Sequence, residues 1–263
     1  MALKYEKNEY QIPRGRVFFD PFDAAGLRTG ESPFGNCPSF SISIESTKTD
    51  HYSSETGLRQ KDGSVVVEVN RTAQITCDNV SAENLARYLA GSIEEVSQAA
   101  TAVTDEAHTV LPGRFYQLGQ TETNPAGARS VSALSVKDSS DQLLTLGTDY
   151  AVDLELARLQ ILVGGAITDA EAVKVSYTPA AKKWKRIKTG AVTELAGALR
   201  VVADNAAGAN RDYYGPSVTL TPSGELPVIA DGTDWVTMTF DLELLKPANQ
   251  EALYVDNRPA GTP

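Results

Sequence analysis

Two stretches decide how this chain folds: Phe40-Ser41-Ile42-Ser43-Ile44-Glu45, and Val65-Val66-Val67-Glu68-Val69-Asn70-Arg71-Thr72-Ala73-Gln74-Ile75-Thr76-Cys77. In the first, Phe40, Ile42 and Ile44 alternate with polar residues, the period-2 signature of a half-buried strand. In the second, Val65, Val67, Val69, Ala73, Ile75 and Cys77 share one face, interrupted only by Arg71, while Val66, Glu68, Asn70, Thr72, Gln74 and Thr76 share the other. At about 3.3 Å per residue this strand runs roughly 40 Å, well beyond a common strand length. The two stretches read as one long hairpin over 40–77. The polar interval Ser46 to Ser64 is expected to be a mobile loop, and the apolar face to pack on a second sheet.

A short helix over 82–90 is expected next. Ser81 is placed to cap it, Val80 and Leu85 to staple it, and Gly91 to stop it. Leu85 and Leu89 form a narrow apolar stripe with Tyr88 beside it, and so short a helix needs the sheet for support. A very long strand, a long charged loop and one flanking helix, carried by Phe40 to Glu45, Val65 to Cys77 and Ser81 to Gly91, resemble the core of the major tail tube proteins of long-tailed, siphovirus-like bacteriophages. The resemblance implies an all-β tail-tube core, a β-sandwich or barrel with one flanking helix, and a place in the virion after assembly in the bacterial cytoplasm.

The chain's 263 residues carry a net charge of −10. That favours solubility and disfavours any protein that grips nucleic acid by neutralising phosphates. Two cysteines, Cys37 and Cys77, are too few for a disulfide framework, and the start has no signal-peptide pattern, so folding in a reducing cytoplasm is expected. No apolar run is long enough to span a bilayer as a helix. Met1 to Gln11 reads as an arm that orders on contact, and Pro247 to Pro263 as a surface segment or a contact arm.

From Phe115 onward the pattern becomes one of short strands spaced by turns: Val131 to Val136, Tyr150 to Asp153, Arg158 to Leu162 and Val173 to Tyr177. This predicts a small antiparallel, immunoglobulin-like domain over 105–180, inserted between core halves at 1–104 and 181–263. The Gly147-Thr148-Asp149-Tyr150 segment looks like an extra module that some phage tail proteins carry. Lys182, Lys183, Lys185, Arg186 and Lys188 surround Trp184; a nucleic-acid patch is one reading, a solvated linker or a contact for an acidic neighbour the simpler one. In the last third Trp235 to Leu245 alternates like a strand after an Asp231-Gly232-Thr233-Asp234 turn.

No catalytic or cofactor constellation emerges. His51 and His108 lack metal-ligand spacing, and no nucleophile elbow, phosphate-cradling loop or calcium loop occurs. The resemblance instead implies homo-hexameric rings whose inner sheets join into one barrel and stack into a tube. A tape-measure protein and a tail terminator would set its length, and DNA would pass through without specific binding. Under it Glu68, Asn70, Thr72 and Gln74 face the lumen, and the loop bearing Lys48, Asp50, Glu55, Arg59, Lys61 and Asp62 contacts the adjacent ring. A different class stays open: a stand-alone binding module, such as a capsid decoration or an adhesin-like sandwich.

Overall fold

A computed structural model describes residues 9–55, 57–190 and 195–258, and the protein is predominantly β. The expected arms at Met1 to Gln11 and Pro247 to Pro263 fall partly outside those residues. The chain divides into two compact units, 1–93 with 187–263, and 94–186. The boundaries expected at 105 and 180 fall inside the second unit.

The first unit is built on one eight-stranded sheet. Its strands are β1 (Gly15–Pro21), β2 (Ser32–Pro33), β3 (Ser39–Ser53), β4 (Gln60–Cys77), β13 (Leu195–Ala203), β14 (Arg211–Ser223), β15 (Met238–Leu244) and β16 (Tyr254–Asn257). The order is β2-β1-β13-β14-β15-β4-β3, with β16 on β14 and every pairing antiparallel. Among the described residues the last third therefore supplies no second sheet for β4 to pack on. It hydrogen-bonds β4 edgewise through β15, with Phe240 opposite Ile75 and Leu242 opposite Ala73. Pro216 sits where the register between β13 and β14 slips, a position at which a missing N–H does not break the ladder.

One face of this sheet carries the core. Val17, Phe19, Leu199, Val218, Leu220, Phe240, Leu242 and Ile75 cluster there, with Phe40 and Ile42 packed against them. A cover is laid over it by the lead-in after β1 and by α1 (Ala82–Tyr88), the only α-helix among the described residues. Phe34 is fully buried, 5.5 Å from Phe240 and 6.3 Å from Phe19 between ring centroids. Buried Asn84 on α1 donates to the carbonyls of Phe34 at 2.7 Å and Asn79 at 2.9 Å, and accepts from Arg87 at 2.6 Å. A helix of seven residues could not persist in water. These bonds and the Tyr88–Phe240 contact at 5.8 Å hold it on the sheet.

One helix end is capped as expected, and the other differs. Ser81 caps the start, its hydroxyl accepting from Asn84 N at 3.1 Å. At the other end Ala90, not Gly91, takes the left-handed conformation, with φ 47°. Gly91 N donates to Ala86 O at 2.8 Å and Ala90 N to Arg87 O at 3.3 Å, the paired bonds of a Schellman ending. The residue at 91 is glycine for another reason: a Cβ there would lie 2.5 Å from the Lys188 carbonyl oxygen. Leu85 and Tyr88 pack on the core, whereas Leu89 and Val80 are exposed, so the stripe and the staple are narrower than expected.

The second unit is a small sandwich. Strands β6 (Val103–Val110), β11 (Glu171–Pro179) and β8 (Val131–Lys137) form one sheet; β7 (Phe115–Gln117), β10 (Arg158–Ile161) and β9 (Tyr150–Asp153) form the other. Val110, Leu118, Val136, Leu159, Ile161, Val173 and Val175 fill the space between them. β5 (Ser92–Gln98) pairs with β12 (Lys182–Lys188) as a two-stranded ribbon. Buried Asp149 in the Gly-Thr-Asp-Tyr turn accepts from Thr145 N at 2.7 Å and Ala166 N at 2.8 Å. Those amides hold its carboxyl below its ordinary range.

A partly buried polar knot ties β6 to β11. Glu106 accepts from the Tyr177 hydroxyl at 2.5 Å and from Gly119 N at 3.0 Å, and lies 3.0 Å from His108 Nε2. Burial pushes this carboxyl up, but the hydrogen bonds from His108, Tyr177 and Gly119 outweigh it and leave it below the ordinary value of 4.5. A carboxyl lowered on folding stabilises above its unfolded value, and that contribution disappears as pH falls through the folded one. Glu106→Gln is expected to cost about 1 to 3 kcal/mol at neutral pH. It is also expected to flatten the loss of stability in acid. Denaturant titrations of wild type and variant at pH 7 and pH 3.5 check this; equal pH slopes would remove Glu106 from the account.

Candidate functional site

Three features of the first unit remain unmatched among the described residues: the outer edge of β3, the hairpin that β3 and β4 extend beyond the sheet, and the polar face of that sheet. β15 follows β4 only as far as Thr72. From Ile44 and Arg71 outward, β3 and β4 pair among the described residues with each other alone, through to Ser53 opposite Gln60. The interval expected to be a mobile loop is thus mostly strand. Its connection is confined to residues 54–59.

The charged residues of that interval hold the hairpin together. Asp50 accepts from Ser64 at 2.8 Å and pairs with Lys61 at 2.6 Å, and those two partners lower its pKa. His51 Nδ1 lies 2.5 Å from Asp62, and the Arg59 guanidinium stands 4.5 Å over the Tyr52 ring. Of the residues expected to meet a neighbouring ring, Asp50, Arg59, Lys61 and Asp62 therefore serve cross-strand pairs. Lys48 opposes Val66 across the ladder, and Glu55 lies in the turn.

The apolar face of β4 is buried only over its last part. Ala73, Ile75 and Cys77 lie in the core, but Val65 is 66% exposed, Val67 60% and Val69 42%, with Ile44 at 62% on β3. They do not pack on a second sheet as expected, because no layer extends over the projecting hairpin among the described residues. Thr47 faces Glu68 and Lys48 faces Val66, which leaves Val67 as a bulge that twists the hairpin.

The polar face is continuous. Glu68, Asn70, Thr72 and Gln74 are all exposed and lie on the face away from the core. Gln74 Nε2 donates to Asp241 at 2.8 Å and Asn70 Nδ2 to Glu68 at 2.7 Å. Glu45, opposite Asn70, and Glu243, opposite Thr72, add carboxylates at this end of the sheet. Toward β1 the same face bears Arg16 and Arg200. Arg200 pairs with Glu31 at 2.7 Å and stands 4.7 Å over the Tyr214 ring, which Arg28 approaches at 5.4 Å. Nothing in the sequence pattern marked this guanidinium and tyrosine stack, since its members are far apart in the chain.

The basic run is answered within its own neighbourhood. On the ribbon Lys183 pairs with Glu95 at 2.7 Å and Arg186 lies 3.6 Å from Glu94. The cysteines are core groups: burial, with Cys77 and Asp78 nearby, pushes the Cys37 thiol up to about 12. Among the described residues no three His, Cys, Asp or Glu side chains gather as a metal site would require, and no helix is long and apolar enough to cross a membrane.

Comparison with protein families adds one finding. A family model described as "Protein of unknown function UCP028589" matches residues 10–245. The chain belongs to that family. The match runs across both units to the end of β15, so it covers the second unit's sandwich and every strand of the sheet but β16. No curated protein matches the chain.

Proposed function

We propose that this protein is a structural subunit whose copies join sheet to sheet, and that the assembly is the major tail tube of a long-tailed bacteriophage. The observation that carries the reading is the outer edge of β3. It is fifteen residues long, and among the described residues β3 pairs only with β4. A long unpaired edge is a template for another chain, and monomeric proteins blunt such edges. At the opposite end of the sheet β2 has two residues, and the amides of Phe34 and Thr29 take the Val17 and Pro21 carbonyls, so only the Gly15 end of β1 is open for pairing beyond it. Joining β3 of one copy to that end of the next satisfies both edges and closes a ring, six copies in the resemblance. It also brings Glu45 and Glu68 toward the side that bears Arg16, Arg28 and Arg200.

In this reading Glu68, Asn70, Thr72 and Gln74 line the channel. Carboxylates and hydroxyls there let DNA pass without holding it. The hairpin reaches the adjacent ring, a tape-measure protein and a tail terminator fix tube length, and the role is structural rather than enzymatic. Negative-stain microscopy of the purified chain tests it: rings or hollow tubes are expected, and dispersed monomers at high concentration would defeat it.

One observation favours the stand-alone binding module. In the second unit the turns at 111–114, 138–149 and 162–170 share the end away from Val103 and Pro179. Leu111, Phe115, Leu143, Leu146 and Val163 are all exposed there. Dispersed monomers would turn attention to that tip.

A further inference from the structure

The three most exposed large apolar side chains among the described residues all lie in one loop of the first unit. Ile229 is 95% exposed, Trp235 89% and Val228 87%, between β14 and β15. The sequence pattern placed Trp235 on a strand, but β15 starts only at Met238. The loop is anchored behind its tip, because Leu226 packs on the core and the Tyr88 hydroxyl donates to Gly224 O at 2.8 Å. From Asp212 to Leu245 there is no Lys, Arg or His, while the loop itself holds Glu225, Asp231 and Asp234. It is an acidic segment presenting an indole and two branched aliphatics to water, and such a cluster marks an interaction surface.

The same unit offers a receptor of opposite character. A cleft of about 750 Å3 opens where the curled sheet brings β1 and β13 across from β3. Val17, Phe40, Ile42 and Val201 line it, and the only charged lining residues are Arg14 and Arg211. Arg211 is answered by Glu9 at 2.7 Å. Arg14 donates to the Pro13 carbonyl at 2.8 Å and makes no ion pair among the described residues. No residue of the 224–237 loop lines the cleft of its own copy.

We propose that the 224–237 loop of one copy seats in this cleft of a second copy, Trp235 and Ile229 on the apolar lining and Asp231 and Asp234 toward Arg14. The sign of charge matches, and Val17, Phe40, Ile42 and Val201 offer the exposed side chains an apolar wall. Loop and cleft are different surfaces of one subunit, so the contact is heterologous and repeats from copy to copy. It does not use the polar face, although the cleft takes Ser39, Phe40 and Ile42 from β3 and Gly15 from β1, and its readout does not require that a tube forms.

The two tryptophans make the contact readable, because Trp184→Phe leaves Trp235 as sole reporter. In that background Trp235 emission is expected to be that of an exposed indole in dilute protein and to shift to shorter wavelength with rising concentration. Arg14→Glu should raise the midpoint at least tenfold, and adding Asp231→Arg with Asp234→Arg should bring it back toward the starting value. Emission that ignores concentration, whether exposed or buried within one copy, overturns the proposal. So does a midpoint that Arg14→Glu leaves in place, or one that the paired reversal fails to restore.

Discussion

Replacing Lys48 to Val67 by Asn-Gly should leave a folded protein that does not polymerise, if copies join as proposed. Thr47 stands directly opposite Glu68 in the ladder, so a two-residue type I′ turn closes the shortened hairpin without shifting register. The buried part of the strand pair, Phe40 and Ile42 against Ala73 and Ile75, stays intact. What is lost is the projecting arm with Val65, Val66 and Val67, which are 66%, 48% and 60% exposed in the single copy. If assembly covers them, each contributes roughly 1 kcal/mol per contact. Together that is on the order of a hundredfold in the concentration needed to assemble, before any backbone pairing is counted. Sedimentation across a concentration series, beside far-ultraviolet circular dichroism, measures both halves of the expectation. Tubes forming at the wild-type concentration would sink the role given to the hairpin.

How much of this could be read from the residues differs from place to place, for physical reasons. Pairing of the Phe40 stretch with the Val65 to Cys77 stretch was legible, because burial of one face imposes strict alternation on both. Phe40 does meet Ile75, and Ile42 meets Ala73. The outer hairpin was not legible as strand: both faces meet water, so no apolar alternation survives from Thr47 to Asp62. Its signal was a different one, the near-mirror placement of Asp50 and Lys61, His51 and Asp62, and Tyr52 and Arg59 about the 54–59 turn. Conversely Val65, Val67 and Val69 carry a core pattern with no core over them among the described residues. Periodicity reports that a face is apolar and is silent on what covers it. Ala90 shows the limit of glycine rules, since the left-handed position and the glycine are neighbours and answer to different constraints. The candidate surface was legible only in part. Glu68, Asn70, Thr72 and Gln74 are exposed on the face away from the core, but Arg200, Tyr214 and Arg28 gather from separate strands and a loop.

Phe34→Ala should have the largest effect on stability of any single change considered. Phe34 lies on the lead-in between β1 and β3, fully buried, with its ring between Phe19 and Phe240 and the Arg87 guanidinium 4.8 Å above it. Its carbonyl accepts from Asn84 and Asn79 at 2.7 and 3.2 Å, so the backbone is pinned and cannot collapse into the space left by the ring. A site that cannot relax bears both the lost transfer energy and the cavity, about 3 to 5 kcal/mol for a buried phenylalanine. At roughly 2 to 4 °C per kcal/mol for a unit of this size, the melting temperature of the first unit should fall by about 10 °C. The second unit has its own core and shares no residue of this cluster. Calorimetry of the full chain should therefore show one transition moving and the other holding. Both moving together by the same amount would mean that the two cores unfold as one.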